Sequence, residues 1–324
     1  MHIVRRGLAA LAVTLALTGS ALAQAWPSKP IRWIVPYTPG GYTDLMSRLV
    51  GTKVADALGV TVVFENKPGA NAIIGTDVVA KAAPDGYTFG TVIAAHSVNP
   101  TLNPKIPYDT LKDFTYVSLM SSAPLIIIAN KTLPANNIQE LVALAKSKPG
   151  SLSFASSGIG AAAHLTMEMF KARMGLDMVH VPYKGTAGAL QDTVAGNINV
   201  MFDIVGPLMP QVTAGNVKAL GLAAKEPIPA APGVKTIIEQ GVPDFVSGTW
   251  AGIIAPAGVP KEIVDRVAAE AKKALADPVT IQRLADQGIV AVGSTPAEFR
   301  AAFVGDEIAR WAKVIKDGNI KAGE

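Results

Sequence analysis

The chain has 324 residues, 49% of them hydrophobic and only 17% charged, and it contains no cysteine. That composition excludes an intrinsically disordered chain, which combines low hydrophobicity with high net charge. It also excludes disulfides, thiol nucleophiles, Cys-type zinc sites and iron–sulfur clusters, and the length suggests about two domains.

The formal net charge of +4 includes a targeting signal. Residues 1–23 read as a signal peptide. Arg5 and Arg6 supply its positive start, residues 7–18 its apolar stretch, and Ala21-Leu22-Ala23 a small-x-small cleavage site. The apolar stretch is too short for a membrane span. Without Arg5 and Arg6, the 29 basic residues fall to 27 against 25 acidic ones, a balance of +2. The remaining Lys and Arg are scattered without aromatic interleaving, so no nucleic-acid partner is expected. The expectation is an exported, periplasmic, monomeric protein.

Beyond the signal, strands alternate with helices through Gly-rich turns. Residues 31–37 read as a buried strand, followed by Thr38-Pro39-Gly40-Gly41-Tyr42-Thr43-Asp44. Leu45, Leu49, Val54 and Leu58 then recur at helical spacing, and Gly59 stops the helix. A strand over 60–64, a turn over 65–71, a helix over 73–82 and a strand over 87–93 complete a βαβαβ run. Further on, strands are expected at 114–120, 125–129, 152–155, 179–182, 198–203 and 217–223. Helices are expected at 138–147, 161–174 and 186–195. Two more are marked by Ile263 to Leu275 and by Phe299, Ile308, Trp311 and Ile315. Such alternation implies an α/β fold with mostly parallel sheets flanked by helices. No long linker divides the chain. The expected arrangement is therefore two lobes and a hinge: residues 24–121 plus 249–324, and residues 122–248. The chain crosses near Ser121 and Ser122 and returns near Ser247 to Trp250.

Two turns carry candidate chemistry. Gly40-Gly41-Tyr42-Thr43-Asp44 lies between a strand and a helix start, where free N–H groups and the helix dipole favour an anion. Thr43 adds a hydroxyl, while Asp44 reads more as a helix-start residue than as an anion contact. Ser156-Ser157-Gly158-Ile159-Gly160-Ala161-Ala162-Ala163-His164 repeats the logic. Its Gly158-x-Gly160-x-x-Ala163 spacing mimics a dinucleotide fingerprint, with Asp177 near the acid position. It lies mid-chain in an exported protein, so no nucleotide cofactor, and no cofactor of any kind, is expected. No Gly-x-Ser-x-Gly or His-Glu-x-x-His occurs. A Ser–His hydrolase assembled in three dimensions stays open as the alternative. His96, Lys184, Asp203 and Trp250 are further candidates for the cleft, each weighed against a core, surface or turn role.

These residues resemble the Bug family, the substrate-binding proteins of tripartite tricarboxylate transporters. The resemblance rests on Trp26-Pro27-Ser28-Lys29-Pro30-Ile31-Arg32, Val35-Pro36-Tyr37-x-Pro39-Gly40-Gly41-x-Thr43-Asp44 and Glu65-Asn66-Lys67-Pro68-Gly69-Ala70. Ala82-Ala83-Pro84-Asp85-Gly86-Tyr87-Thr88, Val181-Pro182-Tyr183-Lys184-Gly185 and Ala255-Pro256-Ala257-Gly258 extend it along the chain. It implies two lobes closing on a small carboxylate that is then passed to membrane permease subunits. The carboxylate would be held by backbone amides and water at Gly41, Tyr42, Thr43 and Asp44, and at Ser157, Gly158, Ala161, Ala162 and His164. Asp203 and Lys184 would face the ligand's distal end. Tyr42 stands where the family usually has a small residue, and Ala161 and Ala162 where it often has Ser or Thr. These departures favour a ligand with an apolar or aromatic body and one or two carboxylates over citrate.

Overall fold

The computed structural model describes residues 26–322; the expected signal peptide lies outside the described residues. The first strand, β1 (Ile31–Val35), leads into α1 (Tyr42–Leu58). Buried Met46, Val50, Val54 and Leu58 face the sheet from α1 at four-residue spacing, and Gly59 ends the helix with φ 65°. Each such side chain, fully buried, stabilises the fold by about 1.5–3 kcal/mol. Next come β2 (Val62–Asn66), α2 (Ile73–Ala80), β3 (Thr88–Ile93) and α3 (Ala95–Leu102). Pro100 sits inside α3, and this short helix was not legible as a periodic segment.

Strand β4 (Phe114–Asn130) is a single 17-residue strand where the sequence suggests two. It is followed by α4 (Ile138–Ser147), β5 (Ser153–Ser156), α5 (Ala162–Met174), β6 (Val179–Pro182) and α6 (Thr186–Ala195). Then come β7 (Val200–Ile204), α7 (Val205–Thr213), β8 (Val217–Leu222) and β9 (Gly248–Pro256). The chain closes with α8 (Lys261–Ala276), α9 (Pro278–Ala285), β10 (Val290–Ala291), a π-helical turn Glu298–Val304 and α10 (Gly305–Asp317). No helix among the described residues is long and apolar enough to cross a membrane.

The α/β class expected from the sequence is what the structure has, in a mixed form. In the first sheet β2, β1 and β3 are parallel, and β9 and β4 follow antiparallel. In the second, β5 is parallel to β6 and β7, while β7 and β8 pair antiparallel with β4. Parallel pairing thus occupies the outer strands, and every pair made by β4 or β9 is antiparallel. Residues 114–124 of β4 pair with β9, and 125–130 pair with β7 and β8. Register shifts at Tyr116/Ser118 and Leu119/Ser121 bend β4, which lets one strand serve both sheets.

Each sheet has its own core. Trp33, Phe89 and the α1 stripe pack with Val264 and Val267 of α8 under the first. Phe154, Phe170, Phe202 and Phe245 pack under the second. A smaller cluster of Val98, Leu102, Leu165, Trp311 and Ile315 ties α3 and α10 to α5. Arg310 of α10 adds a hydrogen bond to the Val246 carbonyl at 2.7 Å. The C-terminal helix therefore braces elements of both sheets.

Candidate ligand site at two glycine turns

The first turn leaves β1 and enters α1 through Gly41, whose backbone is extended (φ −84°, ψ 178°). No side chain caps α1. Asp44 instead reaches back: its carboxylate accepts the Gly40 N–H at 3.0 Å, the Arg48 guanidinium at 3.0 Å and the Asn66 amide at 3.1 Å. Burial opposes its ionisation, but Arg48, the Gly40 N–H and Asn66 outweigh that and hold the carboxyl below its usual value. The carboxylate is thus committed to shaping the turn. Thr43 beside it is buried. The Tyr42 hydroxyl is 2.9 Å from Ser121 Oγ on β4, at the crossing, and burial raises the phenol's pKa. Tyr42 therefore ties the first turn to the strand shared by both sheets.

The second turn leaves β5 and enters α5 at Ala161, again with no side-chain cap. By contrast, Asn137 and Asp277 cap α4 and α9 in the ordinary way. His164 reaches back over the turn. Its Nδ1 accepts the Gly160 N–H at 3.2 Å, which leaves the ring proton on Nε2, facing Glu168 Oε1 at 3.9 Å. The His164 ring stacks on His180 at 3.9 Å, and His180 stacks on Phe154 at 4.7 Å. Burial first, then His180 and Lys171, push His164 down to about 3. Burial and then Lys171 push His180 to about 4. Both rings are therefore neutral at pH 7. Ala161 and Ala162 are half-buried, as are Ser157 and Gly158.

Asn71 connects the two turns, a role the sequence reading missed. It lies in a run of three non-glycine residues with left-handed backbone: Ala70 (φ 48°), Asn71 (φ 50°) and Ala72 (φ 74°). Tyr37, just after β1, donates to Asn71 Oδ1 at 3.4 Å. Asn71 donates to Asn99 Oδ1 at 3.1 Å, and Asn99 returns a bond to the Asn71 carbonyl at 2.9 Å. The Asn71 amide also lies against Gly160 of the second turn. Asn tolerates this backbone better than Ala does. Replacing exposed Ala70 by Gly should therefore raise stability by about 1 kcal/mol, read as a higher urea midpoint. A lower midpoint would mean the turn is not strained.

The other candidates divide. Asp203, at the end of β7, accepts from Thr186 Oγ1 at 2.7 Å and from the Ile204 N–H at 2.8 Å. Burial raises its pKa against these bonds and one from Ser157. It knits the turns after β5 and β6 together. Lys184 is exposed, and no ion pair holds it among the described residues. His96 is not brought to the turns. It is 2% exposed, bonded through Nε2 to the Tyr116 hydroxyl at 3.0 Å, and packed edge-on against Phe114 at 5.2 Å. Burial pushes it down to about 3. Trp250 is also core, packed on Phe299. Depressions of about 470, 420 and 930 Å³ lie elsewhere on the surface, and none includes a residue of either turn.

Residues 46–320 match the model of a family described as "Tripartite tricarboxylate transporter family receptor". The chain belongs to this family. It is 35% identical to BugT of Bordetella pertussis over 321 residues, covering 98% of each chain. Among solved structures, the periplasmic binding protein BugD superposes with TM-score 0.81 at 34% identity, over 91% of this chain and 99% of that one. Rpa4515 of R. palustris, solved with adipate, gives 0.84 at 31% identity, over 91% and 99%. MatC of Rhodopseudomonas palustris, with bound malate, gives 0.80 at 33%, over 90% and 100%. The receptor family that the motifs resemble is therefore the family of this chain, and its α/β fold is that of the periplasmic binding proteins.

Proposed function

We propose that this receptor is exported to the periplasm, captures a small dicarboxylate between its two glycine turns and delivers it to the permease subunits of a tripartite transporter. Lobes 24–121 plus 249–324 and 122–248 close on the ligand about the paired crossings. The observation that supports the reading is that α1 and α5 both start without a side-chain cap, while Asn71 links Tyr37, just ahead of the first turn, to Gly160 of the second. Backbone N–H groups and helix dipoles there replace the hydration of a carboxylate without an arginine. Gly41, Tyr42 and Thr43 act from one side, and Ser157, Gly158, Ala161 and Ala162 from the other. Asp44 and His164 hold the turns in shape, and Asp203 with Lys184 faces the distal end. The methyls of Ala161 and Ala162 and the ring of Tyr42 favour an apolar-bodied diacid, of which adipate is a test compound, over citrate.

One observation favours the hydrolase alternative: Ser156 Oγ lies 2.7 Å from His180 Nε2. Against it, Ser156 is fully buried and also bonded to Gly158, and among the described residues no carboxylate bonds His180. The two readings part in one experiment. A receptor gains melting temperature with adipate, since ligand at a hundred times Kd adds about 2.7 kcal/mol, and it returns the adipate unchanged. Tight citrate binding in calorimetry, with none of aliphatic or aromatic diacids, would sink the apolar-ligand reading. Turnover of an ester substrate that is lost on Ser156→Ala would favour the enzyme.

A further inference from the structure

Gly160 sits where elements of the two sheets touch. Its backbone is left-handed (φ 76°), and a methyl on its Cα would stand 2.4 Å from Leu102 Cδ2 and 3.2 Å from Asn71 Nδ2. Non-bonded carbons settle at about 3.5–4.0 Å, so the first distance is a hard overlap. The wall that Gly160 meets has little freedom to yield. Leu102 is 6% exposed and packs among Val98, Leu165 and Trp311. Asn71 is held by Tyr37 on one side and Asn99 on the other.

We propose that this contact is a closure stop. Gly160 resting on Leu102 and Asn71 sets how near the second glycine turn comes to the first, so residues 160 and 102 select ligands by size. The consequence for ligands rests on the carboxylate-binding reading above; the stop itself does not. A side chain at position 160 would hold the turns apart, and a short diacid reaching both would lose one of them.

The absence of cysteine makes the test direct. Asp56→Cys on α1 and Lys146→Cys on α4, both exposed, provide the only thiols for a spin-label pair across the two sheets. Distances are measured with and without adipate, and adipate affinity by calorimetry. Gly160→Ala should abolish the shortest distance and weaken adipate binding at least tenfold. Adding Leu102→Ala should restore both. Gly175→Ala, also left-handed (φ 65°) but with nothing within 4 Å of the added methyl, should leave both as in the parent protein. If Gly160→Ala keeps the parent's shortest distance, or Leu102→Ala fails to restore it, the stop is wrong. If the distances behave as stated but adipate never binds, the stop stands and the ligand assignment falls. Should Gly160→Ala not fold by circular dichroism, Leu102→Ala alone decides. It should shorten the closest distance, and an unchanged distance would overturn the proposal.

Discussion

Lowering the pH from 6 to 4 is expected to remove about 5 kcal/mol of folding stability through His96 and His164 together. Both imidazoles are held down to about 3 in the folded protein, against 6.5 in the unfolded chain. Above pH 6.5 they are neutral in both states and contribute no pH dependence. Below it the unfolded chain takes up two protons that the fold refuses, so stability falls with pH until the folded groups titrate. Each contributes close to about 1.4 kcal/mol per pH unit well inside that window. His180, held to about 4 and less deeply buried, adds in the same direction. The loss is a large share of a typical total of roughly 5–15 kcal/mol. Urea melts at half-unit steps should show about two to three protons taken up on unfolding. His164→Gln should lower that number by about one. Stability that stays flat from pH 6 to 4.5 would mean the histidines are not buried neutral.

The second large effect belongs to Asp44→Ala. The substitution leaves the Gly40 N–H, the Arg48 guanidinium and the Asn66 amide without their shared acceptor. Hydrogen bonds to a charged group are worth more than neutral ones, and Arg48 can turn to water. The expected cost is therefore about 2–3 kcal/mol rather than the sum of three bonds. Ligand affinity should fall at least tenfold (about 1.4 kcal/mol), because Gly40 loses the carboxylate that orients its N–H. Urea denaturation and calorimetry with adipate check the two parts separately. Unchanged stability with tighter binding would mean that Asp44 acts on the ligand through its negative charge and not as the anchor of the turn. The bond network also predicts a pH signature. Asp44 titrates below its unfolded value, so its contribution is complete above that value and is lost as the pH falls through the folded one.

Both glycine turns were legible because their chemistry is local. A strand, small residues and a helix start follow one another within a dozen positions, and the backbone alone dictates what they can do. Asn71 was not legible, since its importance lies in contacts with Tyr37, Asn99 and Gly160, which only tertiary packing brings near. His96 follows a buried strand, as a cleft residue would. The short helix α3 instead turns it inward toward Tyr108 and Phe114, a direction that periodicity over eight residues cannot specify. From the sequence β4 reads as two strands, on either side of the crossing expected near Ser121 and Ser122. Its ladder continues to Pro124 opposite Gly248, where β9 begins. Strand β9 itself was hidden behind the reading of Ser247 to Trp250 as a crossing.

The position of β9 governs the order in which the molecule can be completed. It lies between β3 and β4 in the first sheet, yet it is synthesised only after the whole of the second sheet. A nascent chain that has emerged through Asn130 holds β1 to β4 with the central strand missing and β3 and β4 unable to pair. Residues 125–247, in contrast, form one uninterrupted block with a core of its own. Contacts of long sequence separation form slowly because loop closure must precede them. The amino-terminal half is thus held back from its final structure until the carboxy-terminal third arrives, and the block made in the middle of synthesis is the one able to fold first.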